Sequence, residues 1–301
     1  MELLTDVAKG DTVAQKIARR ARRYQRRASM AWRYVNYAAH FARPRSYPDR
    51  MYLESTNACN LRCIMCPTGL GIARRKKGML DWDLFRQIVD EMAPHVSMTT
   101  LHIWGEPLLH PRMVDMIAYC SSHGLHAEIS TNAVLLKPEV SQAILDAGLG
   151  AIYLCLDGTT PETYEQVRRE ASFEQTREHI LKFIELRNRG RYSKPRTKLQ
   201  IIEIAPTAAQ VEEFKRTWNI PGVDQINVKP FDSWGDQLED VSALRAGGEP
   251  KLPPRFHCPN LWYHAHIYWD GTLVCCDRDF DAQYPLGNVG DGVMKAWRGE
   301  A

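Results

Sequence analysis

From about residue 48 to 232 the chain alternates short apolar runs with amphipathic segments, a pattern of repeated strand–helix units built on a parallel sheet or barrel. The apolar runs predict strands near 51–56, 99–104, 125–130, 151–156, 198–204 and 224–229. Helical patterns fill the intervals, as in "LDWDLFRQIVDEMAPHV" at 80–96 and "PEVSQAILDAGL" at 138–149. Such a run of units predicts an α/β fold, an incomplete or fully closed (β/α)6 barrel. Ahead of it, Ile17, Ala21, Tyr24, Ala28, Ala31, Val35 and Ala38 recur at steps of four and three, which puts them on one face of a helix. After residue 230 the rhythm is lost and ends in "GGEPKLPPRFH", a linker composition. "LWYHAHIYWDGTLVCC" then reads as two alternating runs joined at Asp270-Gly271, a hairpin signal. The expected organisation is a helical extension over 1–47, a barrel over 48–232, a linker over 233–257 and a small hairpin module over 258–301.

Composition narrows the class. With 301 residues, 44% hydrophobic and 25% charged, the chain is long enough to bury a large core, and disordered or fibrous classes are excluded. The longest apolar stretches, such as "AIYLCL" at 151–156, are far too short to cross a bilayer, and the N-terminus lacks a signal-type apolar region; a cytoplasmic protein is expected. Basic charge is local: residues 12–45 hold ten Lys/Arg and no acid, leaving 29 of the 39 bases against all 36 acids elsewhere. That arm predicts a solvated amphipathic helix docked on its own protein; anionic lipid, RNA or an acidic partner are the other readings its charge allows.

The cysteines cluster as metal or redox chemistry requires, not as a disulfide framework. "STNACNLRCIMCPTG" places Cys59, Cys63 and Cys66 in one loop directly after the first strand, at the mouth where α/β folds carry their chemistry. A closed zinc site needs a fourth ligand, yet no other cysteine precedes Cys120 and no histidine lies between His40 and His95. Three ligands with an open position suit a reactive metal centre.

"CNLRCIMC" resembles the CxxxCxxC signature of the radical S-adenosylmethionine (SAM) superfamily, with Met65 as the family's frequent hydrophobic residue before the third cysteine. The resemblance implies that Cys59, Cys63 and Cys66 hold a 4Fe-4S cluster whose fourth iron takes the amino and carboxylate groups of SAM. An electron from the cluster then cleaves SAM to methionine and a 5'-deoxyadenosyl radical, which abstracts a substrate hydrogen. Gly105-Glu106-Pro107 is similar to the family's GGEP-type motif, with Trp104 in place of the first glycine; Glu106 and the turn's carbonyls would hold the SAM ammonium. Ser130-Thr131-Asn132 end the third strand where the resembling proteins contact the SAM ribose or carboxylate, and the same residues could simply cap a helix. Asp157-Gly158 resembles the "SLDG" turn; Asp157 would touch substrate, orient a second group, or bond its own loop. Glu203 and Lys229 are the further polar residues that could reach into a barrel. Cys155 and Cys120 read as core residues.

Cys258, the gap to Gly271 and Cys276 resemble the start of a SPASM or twitch module, an auxiliary iron–sulfur unit, as do "LGN" at 286–288 and Trp297. Cys275 and Cys276 are adjacent on an expected strand, so only one should bind, and the spacing selects Cys276. No cysteine follows it up to Ala301, so the expected module is incomplete: a truncated, defective or absent auxiliary cluster. The resemblance implies a flavodoxin- or ferredoxin-type reductant. Its substrate would be small or sugar-like, since residues 1–47 are too short for the winged-helix leader-binding domain of many peptide maturases. A peptide maturase of the RiPP or sulfatase-maturating type is the alternative. An RNA-modifying enzyme and a non-catalytic electron-transfer protein are the other classes considered; the GEP turn argues against the latter, which has no need to hold SAM.

Overall fold

Alternate residues of each long strand bury one face under helices, and the computed structural model, which describes residues 13–234, 237, 241, 243–246 and 257–299, assembles those strands in chain order. Six parallel strands, β1 (Arg50–Leu53), β3 (Met98–Thr100), β4 (His126–Thr131), β5 (Ala151–Cys155), β7 (Arg196–Glu203) and β8 (Gln225–Pro230), lie side by side in one sheet. Two short pieces, β2 (Arg62–Cys63) and β6 (Arg168–Arg169), form a separate antiparallel pair above it. Between the strands run α2 (Trp82–Met92), α3 (Met113–Ser122), α4 (Pro138–Asp146), α5 (Pro161–Val167), α6 (Phe173–Arg189) and α7 (Val211–Thr217). This is the expected α/β architecture, an open barrel of strand–helix units. The four later strands fall within two residues of their predicted spans. β1 and β3 end early, at Leu53 and Thr100, because the chain turns out of the ladder there and the Ser55 hydroxyl ties the two exits by donating to the Leu101 carbonyl at 2.9 Å.

One core fills the space between sheet and helices. Met51, Leu53, Ile129, Ile152, Leu154, Leu199 and Ile201 from the strands meet Phe85, Ile88, Met116, Ile180, Phe183 and Phe214 from the helices. Their alternation along each strand follows from the two-residue side-chain period, which sends the intervening residues to the concave face. α2 starts where it does because Asp81 caps it, its carboxylate accepting from the N–H groups of Asp83 and Leu84 at 2.9 and 3.0 Å.

The hairpin near Asp270-Gly271 forms as predicted and continues the barrel sheet. β9 (His264–Ile267) adds parallel to β1, and β10 (Thr272–Val274) and β11 (Pro285–Asn288) follow antiparallel. Gly271 supplies the positive φ of 83° that the turn needs. The last helix, Val293–Trp297, docks on α2: Glu91 accepts from the Val293 and Met294 N–H groups at 2.7 and 2.9 Å, and the Trp297 indole donates to the Ser46 carbonyl at 3.0 Å. Of the linker expected over 233–257, the stretches 235–236, 238–240, 242 and 247–256 lie outside the described residues, as do 1–12 and 300–301.

α1 (Val13–Ala38) is helical as expected, but the side it docks is not the apolar stripe. Arg33 and Asn36 are buried; the Arg33 guanidinium pairs with Asp49 at 2.7 Å, the Asn36 amide donates to the Ser46 hydroxyl at 2.8 Å, and the Ser29 hydroxyl accepts the Tyr47 N–H at 3.2 Å. Tyr24, Ala28, Ala31, Val35 and Ala38 are exposed. The segment at 46–49 offers hydroxyl, amide and carboxylate groups, so it selects the polar strip of the helix and leaves the apolar one outside.

Candidate active site

The cysteine loop leaves β1 and is fastened at both ends. Asn57 accepts the Gly78 N–H at 2.9 Å and donates to the Lys76 carbonyl at 2.8 Å, while the Thr56 hydroxyl donates to the Gly78 carbonyl at 2.7 Å. Cys63 sits on β2, paired with Arg168 on β6, and the Ile64 N–H donates to the Val167 carbonyl at 3.1 Å. Met65 is buried with Leu61, Cys63 and Val167, and its carbonyl accepts the Trp234 indole N–H at 2.9 Å. The C-terminal hairpin holds the loop's root: Glu54, fully buried, takes Arg75 in a two-pronged pair at 2.7 and 2.8 Å, and Arg75 stacks on Tyr268 at 3.7 Å from the ring centre.

The GEP turn packs against this loop with no room for a side chain at its first position. Gly105 has a φ of 81°, and a Cβ there would lie 2.5 Å from the Ala58 carbonyl oxygen and 2.6 Å from that of Thr56. Glu106 is buried and accepts from the Leu108 N–H at 3.1 Å, the Thr131 hydroxyl at 2.7 Å and the Asn132 N–H at 2.8 Å. Burial raises its pKa and those donors pull the other way. The carboxylate thus orients the 130–132 turn and caps the short 3-10 turn Pro107–Leu109. Asn132 serves two ends: its carbonyl oxygen accepts the Val134 N–H at 3.0 Å, and its amide donates to Asn60 at 2.9 Å and reaches the Cys59 sulfur at 4.0 Å.

Asp157 does not bond its own loop. It is fully buried, its Oδ2 bound to Arg168 at 2.7 and 2.8 Å and its Oδ1 accepting the Ile202 N–H at 2.7 Å. Arg168 in turn extends Nη1 to 3.9 Å from the Cys63 sulfur. Burial opposes the Arg168 charge, yet Asp157 and the neighbouring thiols hold its pKa well above the ordinary value.

The three thiols feel one another. Burial pushes Cys63 up to about 12, with Arg168 opposing and Cys66 and Cys59 adding repulsion. Burial likewise pushes Cys59 up to about 11, with Glu106 and Cys66 adding. Three soft sulfur donors, of which Cys59 and Cys63 are held back from deprotonation by burial and by neighbouring negative charge, fit a cationic iron–sulfur centre, which relieves both on binding. Among the described residues no group of three or more His, Cys, Asp or Glu side chains is arranged to hold a single metal ion.

Polar side chains run across the concave face of the sheet, one strand after another. The Ser130 N–H donates to His102 Nδ1 at 3.0 Å, and the Ser130 hydroxyl contacts the Cys155 sulfur at 3.1 Å. The Gln200 amide meets that sulfur at 3.4 Å, and Asn227 donates to Gln200 at 2.7 Å. Below them Glu128 gathers Arg50 at 3.5 Å and Lys198 at 3.6 Å, and Lys198 donates to the Tyr153 hydroxyl at 2.7 Å. Cys155 is therefore buried, as expected, but among polar groups and not in the apolar core; Cys120 is in the core. His102 is held neutral, its pKa lowered to about 4 by burial and by nearby Lys229. Lys229 is exposed at the rim on the same strand face as Asn227, its ammonium 5.9 Å from the Trp234 ring. Glu203 is exposed and shares its strand face with Leu199 and Ile201, the helix-facing side, so β7 does not aim it into the barrel. His102, Gln200 and Asn227 escape a motif search; the alternation of polar with apolar residues in "KLQIIE" and "QINVKP" is the signal that would have found two of them.

At the C-terminal end, β10 stops at Val274, so Cys275 and Cys276 lie in a bend and strand alternation does not separate them. Their side chains hydrogen-bond each other; that bond lowers the Cys276 pKa to about 6, helped by the Arg278 and Asp279 N–H groups, and raises that of Cys275. Cys258, Cys275 and Cys276 are all half-buried and free of disulfides.

Comparison with known proteins places this geometry. The model of the radical SAM superfamily matches residues 53–216, and that of an iron–sulfur cluster-binding domain, SPASM, matches residues 258–301. Among curated proteins, the tungsten-containing aldehyde ferredoxin oxidoreductase cofactor-modifying protein of Pyrococcus furiosus is 30% identical over 196 residues, 64% of this chain and 54% of that one. The mycofactocin maturase MftC of Mycobacterium tuberculosis is 27% identical over 175 residues, 58% of this chain and 42% of its own. The chain thus spans about half the length of these relatives. Among solved structures, Streptococcus suis SuiB bound to S-adenosylmethionine superposes with a TM-score of 0.68 at 12% identity, covering 84% of this chain and 66% of that one. BtrN in complex with AdoMet and 2-DOIA gives 0.55 at 15% identity, covering 85% and 84%. Three cysteines in signature spacing on the loop after the first barrel strand, within a match that covers more than half the sequence, establish that the chain belongs to the radical SAM superfamily and carries a SPASM-type C-terminal module.

Proposed function

We propose that this chain is an enzyme in which Cys59, Cys63 and Cys66 hold a 4Fe-4S cluster that binds SAM, and that its substrate is a small, hydroxyl-bearing molecule. When bound, cluster and SAM supply a 5'-deoxyadenosyl radical able to abstract hydrogen from an unactivated carbon. The chain's own residues do the rest. Met65 and the β2–β6 pair fix the loop, and Arg168 donates toward Cys63. Glu106 orients the 130–132 turn, whose hydroxyl and amide groups, with the Gly105 and Pro107 backbone, would seat SAM. Cys258 and Cys276, with Cys275 beside it, are the thiols available to an auxiliary cluster of the SPASM kind. A flavodoxin- or ferredoxin-type reductant in the cytoplasm completes the scheme.

The observation that carries the substrate class is the polar band Ser130–Cys155–Gln200–Asn227, with Lys229 at the rim: donors and acceptors on a rigid sheet recognise hydroxyl and amino groups, where an apolar lumen would not. Similarity to MftC, a maturase, and to SuiB, which has been solved bound to its precursor peptide, supports peptide modification as the second reading. Anaerobic reconstitution should load the loop with about four irons, and each of Cys59→Ala, Cys63→Ala and Cys66→Ala should lose them. Gln200→Ala and Asn227→Ala should leave SAM cleavage intact while removing its stimulation by aminocyclitols or sugars. If peptides stimulate and such small molecules do not, the second reading replaces the first.

A further inference from the structure

We propose that α1 is a membrane-surface helix that seats the protein on anionic lipid. Six large apolar side chains are exposed in the short interval from Tyr24 to Phe41: Tyr24 at 56%, Met30 at 57%, Trp32 at 47%, Tyr34 at 66%, Val35 at 42% and Phe41 at 43%. Among the described residues the helix docks on its own body through the opposite strip, Ser29, Arg33 and Asn36. The exposed apolar side chains face away from that docked strip, and large apolar side chains gathered on the exposed side of one helix mark an interaction site.

Charge chooses the occupant. Residues 12–45 hold ten Lys/Arg and no acid, and Arg20 and Arg27 are exposed on the helix beside the apolar stripe. At its C-terminal end the chain passes directly into a groove of about 570 Å³ lined by Phe41, Ala42, Arg43, Pro44, Arg45 and Arg298, with no carboxylate among them. Arginine suits phosphate through its planar fork of donors. An exposed apolar and aromatic stripe flanked by arginine is the composition of a helix lying in the headgroup–acyl boundary. No described helix is long and apolar enough to cross a membrane, so the helix lies on the surface and does not span it. RNA offers phosphate but no medium for Val35, Met30 and Ala31; a second copy of the chain offers apolar surface but brings ten like charges against ten.

The test uses the full, anaerobically reconstituted chain and vesicles of phosphatidylcholine with or without phosphatidylglycerol. The chain should sediment with the phosphatidylglycerol vesicles, not with pure phosphatidylcholine, and lose affinity as salt rises. Each arginine near such a surface contributes roughly fivefold, so Arg20→Gln/Arg27→Gln should weaken partitioning on the order of 30-fold. Val35→Glu, on the outward face, should abolish binding with unchanged iron content and thermal unfolding. Absence of sedimentation overturns the proposal. So does RNA that binds while vesicles do not, or a dimer in sedimentation velocity that Val35→Glu dissociates while vesicles are ignored.

Discussion

Replacing Asp157 by Asn isolates the buried ion pair behind the cysteine loop. The amide keeps the shape and can still accept the Ile202 N–H, but it leaves the Arg168 guanidinium, only 10% exposed, without its carboxylate. Removing one partner of a buried pair costs about 3–5 kcal/mol, because the other charge stays desolvated. With a urea slope of about 3 kcal/mol/M for a chain of this size, the unfolding midpoint should fall by about 1–1.7 M. Arg168→Met alone should cost a similar amount by stranding the carboxylate. The double variant Asp157→Asn/Arg168→Met strands neither charge, so its loss should be about 2–3 kcal/mol smaller than the sum of the two. Arg168 also faces Cys63, so Asp157→Asn should shift the paramagnetic resonance signal of the reduced cluster, whereas the exposed Asp146→Asn should not. A cost below about 1 kcal/mol, or strict additivity, would refute the view that this pair fixes the loop.

Two further expectations follow from the same geometry. Gly105→Ala forces a Cβ to within 2.6 Å of two carbonyl oxygens at a φ of 81°, so cluster occupancy should drop together with stability, by about 1–3 kcal/mol or more, read as iron per chain and thermal midpoint. His102 is neutral in the fold with a pKa of about 4 against an ordinary 6.5, so its contribution is complete above pH 6.5 and is lost as the pH falls toward 4. That loss amounts to as much as about 3 kcal/mol. His102→Asn, whose side-chain oxygen can still accept the Ser130 N–H, should flatten this limb of the stability profile; a parallel limb in the variant would count against a desolvated His102.

Particular residues explain what the sequence disclosed. β4, β5 and β7 were legible because each buries residues under helices, and β8 because Ile226 and Val228 pack half-buried against the same core; a two-residue period read against a core leaves little freedom of register. The cysteine loop was legible because its three cysteines fall within eight residues of chain. The GEP turn was legible as a motif, but the contacts of Glu106 were not, since the Thr131 and Asn132 donors come from another strand. The Asp157–Arg168–Cys63 relay and the band from Ser130 to Asn227 depend on inter-strand pairing, which no motif encodes. α1 misled for a different reason: an apolar stripe implies a buried face only when the nearest partner is apolar, and residues 46–49 present polar groups instead. Cys275 and Cys276 misled because β10 ends one residue before them.

The most direct measurement is 5'-deoxyadenosine formed from SAM by the anaerobically reconstituted chain with dithionite. The native sequence should give product and Cys63→Ala none, and the variant's fold should persist because the Ile64 backbone bond to Val167 is untouched. Equal product from both proteins, or none from a native chain carrying its full iron, would contradict that expectation.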